Sequence, residues 1–367
     1  MSHVGLIFGG RSVEHQVSLV SARSIAAGLR EAGHQVSALA IAQDGCWLDR
    51  DASEAVLAGD TKAIGPVGRP IAPTLHPLLS SGVEVLFPIV HGTWGEDGSL
   101  QGLCEMLDLP YVGAGVTASA LAMDKLLCKR QLAAAGVPVV DYAAFSRERF
   151  AAEPEACLRE TADLPLPLFV KPSVGGSSVG VRRVDSRHRL EAAVAFALRF
   201  DDTVLVERGI VGRELECGVL GYDRLAASAV GEIVSSTAFY DYAEKYLLDT
   251  ARLVAPAELP AGVAGRLREL AVAAFSAIGG VGMARVDFLL AGDDDLYVNE
   301  INTLPGFVAI SMYPRLWALS GVPLPELVDR LVRIALDRHR DRRRLDQGIK
   351  AWLAELGATT GKRSPGA

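Results

Sequence analysis

The chain has 367 residues, half of them hydrophobic, with a formal net charge of −7. This length allows two or three domains with a sizeable core, and the mildly acidic balance does not favour nucleic acid or an anionic membrane as a partner. No apolar run approaches the roughly 18 residues that span a bilayer, and the N-terminus lacks the basic start of a signal peptide. The five cysteines are scattered without CxxC spacing. We therefore expect a cytoplasmic α/β protein with neither a disulfide framework nor a zinc site.

The first segment, residues 1–115, alternates predicted strands and helices. Strands are predicted at Val4–Phe8, Gln35–Ile41 and Val83–Val90, with a helix from about Val13 to Ala32. Such alternation indicates parallel βαβ units, which bind ligands at the carboxyl ends of their strands. Two glycine-rich stretches, Gly9-Gly10 and His91–Gly98, follow strands in this way.

The second segment, residues 116–210, begins with a predicted helix that carries Met123-Asp-Lys125 and runs to about Ala135. The other predicted elements are the strand Pro167–Pro172, a glycine and serine loop at 173–180, the helix Arg189–Arg199 and the strand Thr203–Val206.

The third segment, residues 211–340, contains predicted strands at Leu215–Leu220 and Ala227–Ile233. A long loop over Ser235–Asp249, a helix over Ala261–Ile278 and a β-hairpin follow. The tail, 341–367, begins within the charge run Asp337–Arg344, which is typical of a solvated helix end.

The hairpin over residues 284–302 is the most informative local pattern. Two apolar runs flank a Gly-Asp-Asp-Asp turn, so the segment predicts strand, tight turn and strand. If the turn is centred between Asp293 and Asp294, side-chain alternation places four polar residues in one patch. The predicted pairs are Asp287 with Glu300 and Arg285 with Asn302.

Two carboxylates and an amide oxygen in one patch suit Mg²⁺, and the adjacent guanidinium points to phosphoryl chemistry. Charged residues on a strand are more often a solvated face. The apolar residues that flank these positions argue against that interpretation, but the hairpin alone leaves both open.

The loop Ser173–Gly180 directly follows a strand that ends near Lys171, which predicts a phosphate-binding loop. It matches neither the P-loop nor the dinucleotide fingerprint, and alone it is more often a simple turn. Lys125, considered alone, is typical of a surface lysine.

Three further sites in the sequence each allow two interpretations. Glu207–Ile210, at the end of a strand, suits a ribose hydroxyl and an adenine edge, or a solvated loop. Glu14, in the first turn of a helix, suits a substrate ammonium or simple helix-dipole stabilisation. Phe239–Tyr246 suits a lid over a site or an ordinary surface loop.

Together, eight motifs in chain order resemble the D-alanine–D-alanine ligase family, ATP-grasp enzymes of bacterial cell-wall synthesis. The resemblance covers residues 3 to 335, approximately, and implies an α/β protein with a three-domain ATP-grasp fold and an N-terminal Rossmann-like parallel sheet. The motifs are Gly9–Ser18, His91–Gly98, Tyr111–Gly115, Met123–Lys125, Lys171–Gly180, Phe239–Tyr246, Ala284–Asp287 and Asn299–Phe307.

The resemblance implies ATP, two Mg²⁺ ions (with Mn²⁺ as an alternative), two molecules of D-alanine and a homodimer. The implied metal ligands are Asp287, Glu300 and Asn302. The residues implied to bind ATP are Lys125, Lys171, Gly175, Gly176, Ser177, Ser178, Glu207, Arg208, Gly209, Ile210, Glu214 and Lys245. The residues implied to act on the amino acids are Glu14, Ser177, Tyr246, Arg285, Gly306 and Ser311, with His91 near the first D-alanine.

Within that set, Glu14 would hold the ammonium of the first D-alanine, assisted by Ser177 and Tyr246. Arg285 and the Gly306 N–H would form the oxyanion site, and Ser311 would hold the carboxylate of the second D-alanine. The implied reaction forms an acyl phosphate, which the second amine then attacks.

Departures from the family pattern bear on specificity. Val174-Gly175 stands where many relatives carry a larger or charged residue, and Val308 stands where a threonine is common. The lid keeps Lys245-Tyr246 and lacks the histidine frequent in ester-forming relatives, which favours a peptide over a D-lactate product. D-serine as second substrate, a ligase for other amino or hydroxy acids, and a non-catalytic nucleotide-binding relative stay open as alternatives.

Overall fold

The computed structural model describes residues 1–60, 82–234 and 252–360, with side chains up to residue 356. Its strands form three sheets, one in each of the three predicted segments. Across those ranges, no helix combines the length and apolar character that a membrane span requires.

The first sheet is parallel, as predicted, with the order β2-β1-β3. Its strands are β1 (His3–Gly9), β2 (Gln35–Ile41) and β3 (Val85–Ile89), and its helices are α1 (His15–Glu31), α2 (Arg50–Ala58) and α3 (Ser99–Met106). Gly9 ends β1 with φ +93°, and a Cβ there would lie 2.1 Å from the Ile41 carbonyl oxygen. Only glycine therefore allows the sharp turn that leads from β1 toward α1.

The second sheet is antiparallel, with the order β4-β7-β5-β6. Its strands are β4 (Tyr142–Ser146), β5 (Leu168–Pro172), β6 (Arg182–Val184) and β7 (Thr203–Arg208). The helices of this region are α4 (Val116–Met123), α5 (Lys125–Ala134), α6 (Arg147–Ala152), α7 (Pro154–Arg159) and α8 (Leu190–Ala197), with a 3₁₀ turn at Arg187–Arg189.

The prediction of one continuous helix through Met123-Asp-Lys125 is wrong. Asp124 leaves the helical region, with φ −87° and ψ 101°, and separates α4 from α5. Its carboxylate accepts hydrogen bonds from the backbone N–H groups of Leu126 and Leu127, so it caps the N-terminus of α5. The apolar periodicity continues across the break, which is why the sequence pattern did not indicate it.

The third sheet is antiparallel, with the order β10-β9-β8-β11-β12. Its strands are β8 (Gly212–Gly221), β9 (Leu225–Val234), β10 (Arg252–Val254), β11 (Gly282–Ala291) and β12 (Asp295–Asn302), and α9 (Val263–Ala277) packs on it. The predicted pairs Asp287–Glu300 and Arg285–Asn302 are confirmed.

The turn of this hairpin differs from the prediction. Ala291 pairs with Asp295, so the loop is Gly292–Asp294 rather than a turn centred between Asp293 and Asp294. That offset would shift every pair by one residue. A bulge at Asn299, between the partners of Asp287 and Phe288, restores the predicted register on the functional side.

The C-terminal helices α10 (Met312–Leu319) and α11 (Leu324–Thr360) share a hydrophobic core with the first sheet. Phe8 and Phe87 of that sheet belong to the same core cluster as Trp317 and Leu327. Helix α11 crosses the predicted limit at residue 340 without a break, and beyond it Leu345 and Trp352 are 66% and 57% exposed. The prediction of a solvated helix end is therefore wrong: the helix continues to Thr360, and Arg338 donates hydrogen bonds to the Gly113 and Tyr111 carbonyls of the first segment. The domain limits at 115, 210 and 340 stay predictions.

Candidate active site

A cavity of roughly 1070 Å³ opens between the three sheets. It is lined by most of the residues that the sequence singled out: Glu14, His91, Lys125, Lys171, Gly175, Gly176, Ser177, Ser178, Glu207, Arg208, Ile210, Glu214, Arg285, Asp287, Glu300, Asn302, Gly306 and Ser311. Gly209 is not in the lining; its N–H donates to the Pro167 carbonyl at 2.7 Å. Lys245, Tyr246 and the predicted lid lie outside the described residues.

Glu14 connects the first segment with the glycine loop. The Ser177 hydroxyl donates a hydrogen bond to Glu14 Oε1 at 2.6 Å. Although Glu14 stands at the N-cap of α1, its side chain makes no capping hydrogen bond. The carboxylate therefore faces the cavity rather than the helix end, which favours the ligand-binding interpretation over simple dipole stabilisation.

The glycine loop is held at its start by α5. Asp124 Oδ1, which caps that helix, also accepts from the Ser173 hydroxyl at 2.6 Å, and the Lys125 N–H donates to the Ser173 carbonyl at 2.9 Å. Lys125 Nζ donates to the Gly175 carbonyl at 2.6 Å. Lys125 is thus in the loop's own network, not a free surface lysine.

The loop's tip has an unusual backbone. Ser177 and Ser178 both adopt left-handed conformations, with φ of 50° and 57°. Non-glycine residues in this region are strained and concentrate at functional sites. Here the conformation directs the Ser177 side chain to Glu14.

The polar patch of the hairpin is centred on Arg285. Its Nε and Nη2 each donate to one Asp287 carboxylate oxygen at 2.7 Å, and Nε lies 3.0 Å from Glu216 Oε1. Burial opposes the charge of Arg285, but Asp287 and Glu216 outweigh burial and raise its pKa, so the guanidinium stays charged. Glu216 pairs with Asp287 across β8 and β11. The sequence reasoning missed this buried acid because it lies on a different strand far from the hairpin in sequence.

The oxygen ligands predicted for a metal lie on the same patch. Asn302 Nδ2 donates to Asp287 Oδ2 at 2.9 Å, and Glu300 is the cross-strand neighbour of Asp287. Over the described parts of the chain, no group of three His, Cys, Asp or Glu side chains could hold a metal ion by itself. Two carboxylates and an amide oxygen are donors of the kind that suits an ion such as Mg²⁺, which completes its shell with water and substrate phosphates.

Glu207, whose binding to the nucleotide stays a prediction, contacts two lysines. Its Oε2 lies 2.6 Å from Lys171 Nζ, and its Oε1 lies 3.2 Å from Lys129 Nζ. Burial opposes ionisation of Glu207, but the two lysines outweigh burial and hold its pKa below the ordinary value. The carboxylate is thus committed to two cations at the end of β7. Lys129 was not singled out from the sequence.

A second pair of titratable groups faces the Glu14 end of the cavity. His91 Nδ1 lies 2.9 Å from the Leu304 carbonyl oxygen and 3.6 Å from Glu96 Oε1. Burial raises the pKa of Glu96 to about 7, against the opposing effect of His91. Burial also opposes protonation of His91, yet Glu96 and Glu14 outweigh it and raise the His91 pKa. The motif His91–Gly98 contained Glu96, but its pairing with His91 could not be read from spacing.

Gly306 and Ser311 lie together in the turn after β12. A Cβ on Gly306 would stand 2.7 Å from the Ser311 hydroxyl, so a larger residue there would displace that hydroxyl. Ser311 Oγ accepts from the Val308 N–H at 3.1 Å, and Ser311 is the N-cap of α10. Val308 thus contributes a backbone donor where its side chain offers no hydroxyl.

Comparison with known proteins agrees with this geometry. Residues 3–114 match the family model described as D-ala D-ala ligase N-terminus, and residues 131–333 match D-ala D-ala ligase C-terminus. The D-alanine–D-alanine ligase of Solibacter usitatus is 46% identical over 340 residues, which are 92% of this chain and 97% of that protein. D-alanine–D-alanine ligase A of Salmonella typhimurium is 44% identical over 352 residues, 92% of this chain and 96% of that protein.

Solved structures give the same result. The D-alanine–D-alanine ligase of Coxiella burnetii superposes with a TM-score of 0.81 at 35% identity and covers 95% of this chain and 98% of its own. The VanG D-Ala:D-Ser ligase of Enterococcus faecalis superposes with a TM-score of 0.78 at 33% identity and covers 91% of this chain and 99% of its own. The chain therefore belongs to the D-alanine–D-alanine ligase family and has its ATP-grasp fold.

Proposed function

We propose that the protein joins two D-alanine molecules to D-alanyl-D-alanine and converts ATP to ADP and phosphate. One observation carries the proposal: a single cavity holds Glu14 with Ser177 at one end, Lys125 and Lys171 along its side, and Arg285 at the hairpin. An acid suits an ammonium, lysines suit phosphates, and a buried guanidinium suits a developing oxyanion.

In the first step, a carboxylate oxygen of the first D-alanine attacks the γ-phosphorus of ATP. The bond from that phosphorus to ADP breaks, and an acyl phosphate forms. Glu14 orients the substrate by its ammonium, and Lys125 and Lys171 neutralise phosphate charge. Ser177 and the backbone of the glycine loop lie between these groups, so closure of the loop would exclude water from the acyl phosphate.

In the second step, the neutral amine of the second D-alanine attacks the acyl carbon, the bond from that carbon to the phosphate oxygen breaks, and the departing phosphate takes the proton that the nitrogen loses. Arg285 and the Gly306 N–H stabilise the tetrahedral oxyanion, while Ser311 binds the carboxylate of the attacking amino acid. Arg285 uses Nε and Nη2 for its acidic neighbours, which would leave Nη1 to donate to the oxyanion. Loss of one such donor typically lowers kcat about 10²- to 10³-fold.

Asp287, Glu300 and Asn302 would hold Mg²⁺, or Mn²⁺, between the hairpin and the ATP phosphates. A divalent ion there supplies positive charge that screens the phosphates from the attacking carboxylate. Two ions bound by three protein ligands leave most coordination positions to phosphate oxygens and water.

D-Serine is the second candidate for the second substrate, because the VanG relative is a D-Ala:D-Ser ligase at 33% identity. Val308 and Ser311 line the cavity near the turn that we propose binds this substrate. D-Lactate is less favoured because Lys245-Tyr246 replaces the histidine-containing lid of ester-forming relatives.

The test incubates the protein with ATP, Mg²⁺ and D-alanine alone, or with D-serine or D-lactate added, and identifies the products by mass spectrometry. We expect D-alanyl-D-alanine and release of phosphate with D-alanine alone. Absence of phosphate release under that condition would exclude the proposed reaction, and a mixed product in preference to the homodipeptide would establish the D-serine alternative. We also propose that the protein is a homodimer in the cytoplasm. Sedimentation velocity tests whether it is a dimer.

A further inference from the structure

Two lysines share one buried carboxylate behind the nucleotide end of the cavity. Lys129 and Glu207 are each only 2% exposed, and Glu207 lies between Lys129 at 3.2 Å and Lys171 at 2.6 Å. Glu207 and Lys171 line the cavity, whereas Lys129 does not. Lys129 therefore approaches the carboxylate from the side away from the cavity.

The contact between Lys129 and Glu207 is electrostatic rather than directional. Lys129 Nζ and Glu207 Oε1 make no hydrogen bond of good geometry within the described residues, despite their short separation. Burial lowers the pKa of Lys129, and Glu207 opposes that effect. A lysine buried in this way is costly to maintain, and a Lys129 kept only for packing would be replaced at lower cost by an apolar residue. Packing alone therefore does not account for a lysine at this position.

The charges in this cluster explain why a second lysine is needed. Glu207 and Lys171 alone would form a neutral pair, so Lys171 would offer little net attraction to a phosphate. With Lys129 included, two ammonium groups face one carboxylate and one positive charge remains uncompensated. Lys171 Nζ also lies 3.4 Å from Asn299 Oδ1, which directs it toward the hairpin.

We propose that Lys129 is a positioning residue for nucleotide binding: it neutralises Glu207 from behind, so that Lys171 keeps its charge for the phosphates of ATP. This inference rests on the proposed function for the identity of the nucleotide. It adds a residue outside the cavity wall to the groups that set the affinity for ATP.

The first test is Lys129→Met, which keeps the length of the side chain and removes the charge. Glu207 then neutralises Lys171, and we expect KM for ATP to rise about tenfold, since one unit charge acts strongly at the effective dielectric constant of a protein interior. KM for D-alanine should change less than about twofold, because Glu14 and Ser177 are separate from this cluster. Lys350→Met, on the exposed part of α11, is the matched control with the same substitution and should match the wild-type protein.

The second test separates charge from structural damage. In Lys129→Met/Glu207→Gln no carboxylate opposes Lys171, so the single positive charge returns. Competitive inhibition by tripolyphosphate, which has no adenosine, reports only on the phosphate site. We expect Lys129→Met to weaken this inhibition about tenfold and the double variant to bring it back to within about twofold of the wild-type protein.

Two results would overturn the inference: wild-type-like ATP and tripolyphosphate binding in Lys129→Met, or a double variant that binds tripolyphosphate as weakly as, or more weakly than, Lys129→Met. If Lys129→Met does not fold, the double variant, which leaves no buried charge of Glu207 unpaired, is compared with the wild-type protein instead, and tripolyphosphate binding about tenfold weaker would overturn the inference. Calorimetric titration with tripolyphosphate keeps the test independent of the ligase reaction, so failure of the proposed function would be seen separately.

Discussion

Individual side chains in this protein acquire their chemistry from neighbours that are distant in sequence. Arg285 is held by Asp287 on its own strand and by Glu216 from β8, and Glu207 is held by Lys129 and Lys171. In both clusters a buried charge is balanced by groups of opposite sign, which is the condition under which ionised residues remain in a protein interior. The sequence singled out Arg285, Asp287, Glu207 and Lys171, but not Glu216 or Lys129, which complete the two clusters.

The variant Arg285→Lys tests whether Arg285 stabilises the oxyanion. A lysine keeps the positive charge that Asp287 and Glu216 require. It lacks the planar guanidinium group, which can bind Asp287 through two nitrogens and still donate to the substrate. We expect kcat to fall about 10²-fold or more, while KM for ATP changes little. Steady-state kinetics measure both, and urea unfolding monitors stability.

The matched control is Arg266→Lys, because Arg266 forms an exposed ion pair with Asp294 at the hairpin loop. It should retain full activity. If Arg285→Lys kept a near-normal kcat, the oxyanion donor would have to be another group.

Glu96 gives a prediction about pH and stability. Burial raises its pKa from 4.5 to about 7, so the folded protein binds this proton more tightly than the unfolded chain does. The associated stabilisation is complete below the unfolded pKa and is lost as pH rises from about 4.5 through about 7. Glu96→Gln cannot lose this proton, so the wild-type free energy of unfolding should fall relative to the variant across that window.

Chemical denaturation at a series of pH values measures this difference. His91 titrates nearby with a raised pKa, so His91→Asn/Glu96→Gln serves as the control in which neither group can contribute. A difference between wild type and Glu96→Gln that does not vary with pH would contradict the shift.

At the scale of helices and strands, local sequence patterns predicted well where the elements lie, but they predicted poorly the turns and breaks that connect them. Alternation along β11 and β12 correctly paired Asp287 with Glu300, although the predicted turn was displaced and a bulge at Asn299 compensated for it. The helix break at Asp124 was missed because the apolar periodicity continues across it. Glu216 and Lys129 were missed because strand pairing and helix packing are not visible in sequence periodicity.

The exposed C-terminal part of helix α11 leads to a prediction about truncation of the chain. Its first part packs on the first sheet through Val328 and Leu331, whereas residues 342–356 are exposed. Removal of residues 345–367 deletes only exposed residues of this helix and the residues that follow them in the chain. We therefore expect unchanged kcat and KM values and a change in melting temperature of no more than about 2 °C.

A chain ending at residue 330 is the informative comparison, because it removes Leu331, Val332 and Ala335 from the shared core. Loss of a buried Leu side chain alone typically costs about 2 kcal/mol or more, so this chain should be severely destabilised. Loss of activity in the shorter deletion would instead show that the exposed helix has a role in the enzyme's assembly or closure.

At the scale of the whole molecule, the site is divided among the three sheets. The first sheet and α1 supply Glu14 and His91, the second sheet supplies Lys171 and the glycine loop, and the third supplies the hairpin. The parallel sheet predicted from the first segment is confirmed, and the Glu14 position after β1 agrees with the rule that ligands bind at the carboxyl ends of parallel strands. This division implies that amino-acid binding and nucleotide binding can be separated by mutation.

Glu14→Gln tests the separation, since glutamine keeps the shape of the side chain and loses the charge that an ammonium requires. The Ser177 hydroxyl can still donate to the amide oxygen of the introduced glutamine, so the glycine loop keeps its contact with α1. We expect KM for the first D-alanine to rise at least about tenfold, because a charge-assisted hydrogen bond is replaced by a neutral one. The affinity for ADP, measured by calorimetry, should stay within about twofold of the wild-type value, because Lys125, Lys171 and the hairpin are unchanged.

Ser177→Ala is the complementary variant: it keeps the carboxylate but breaks the link to the loop, so both D-alanine and nucleotide binding should weaken. Equal losses of D-alanine and ADP affinity in Glu14→Gln would mean that the segments act as one unit, and the division of the site proposed here would be wrong.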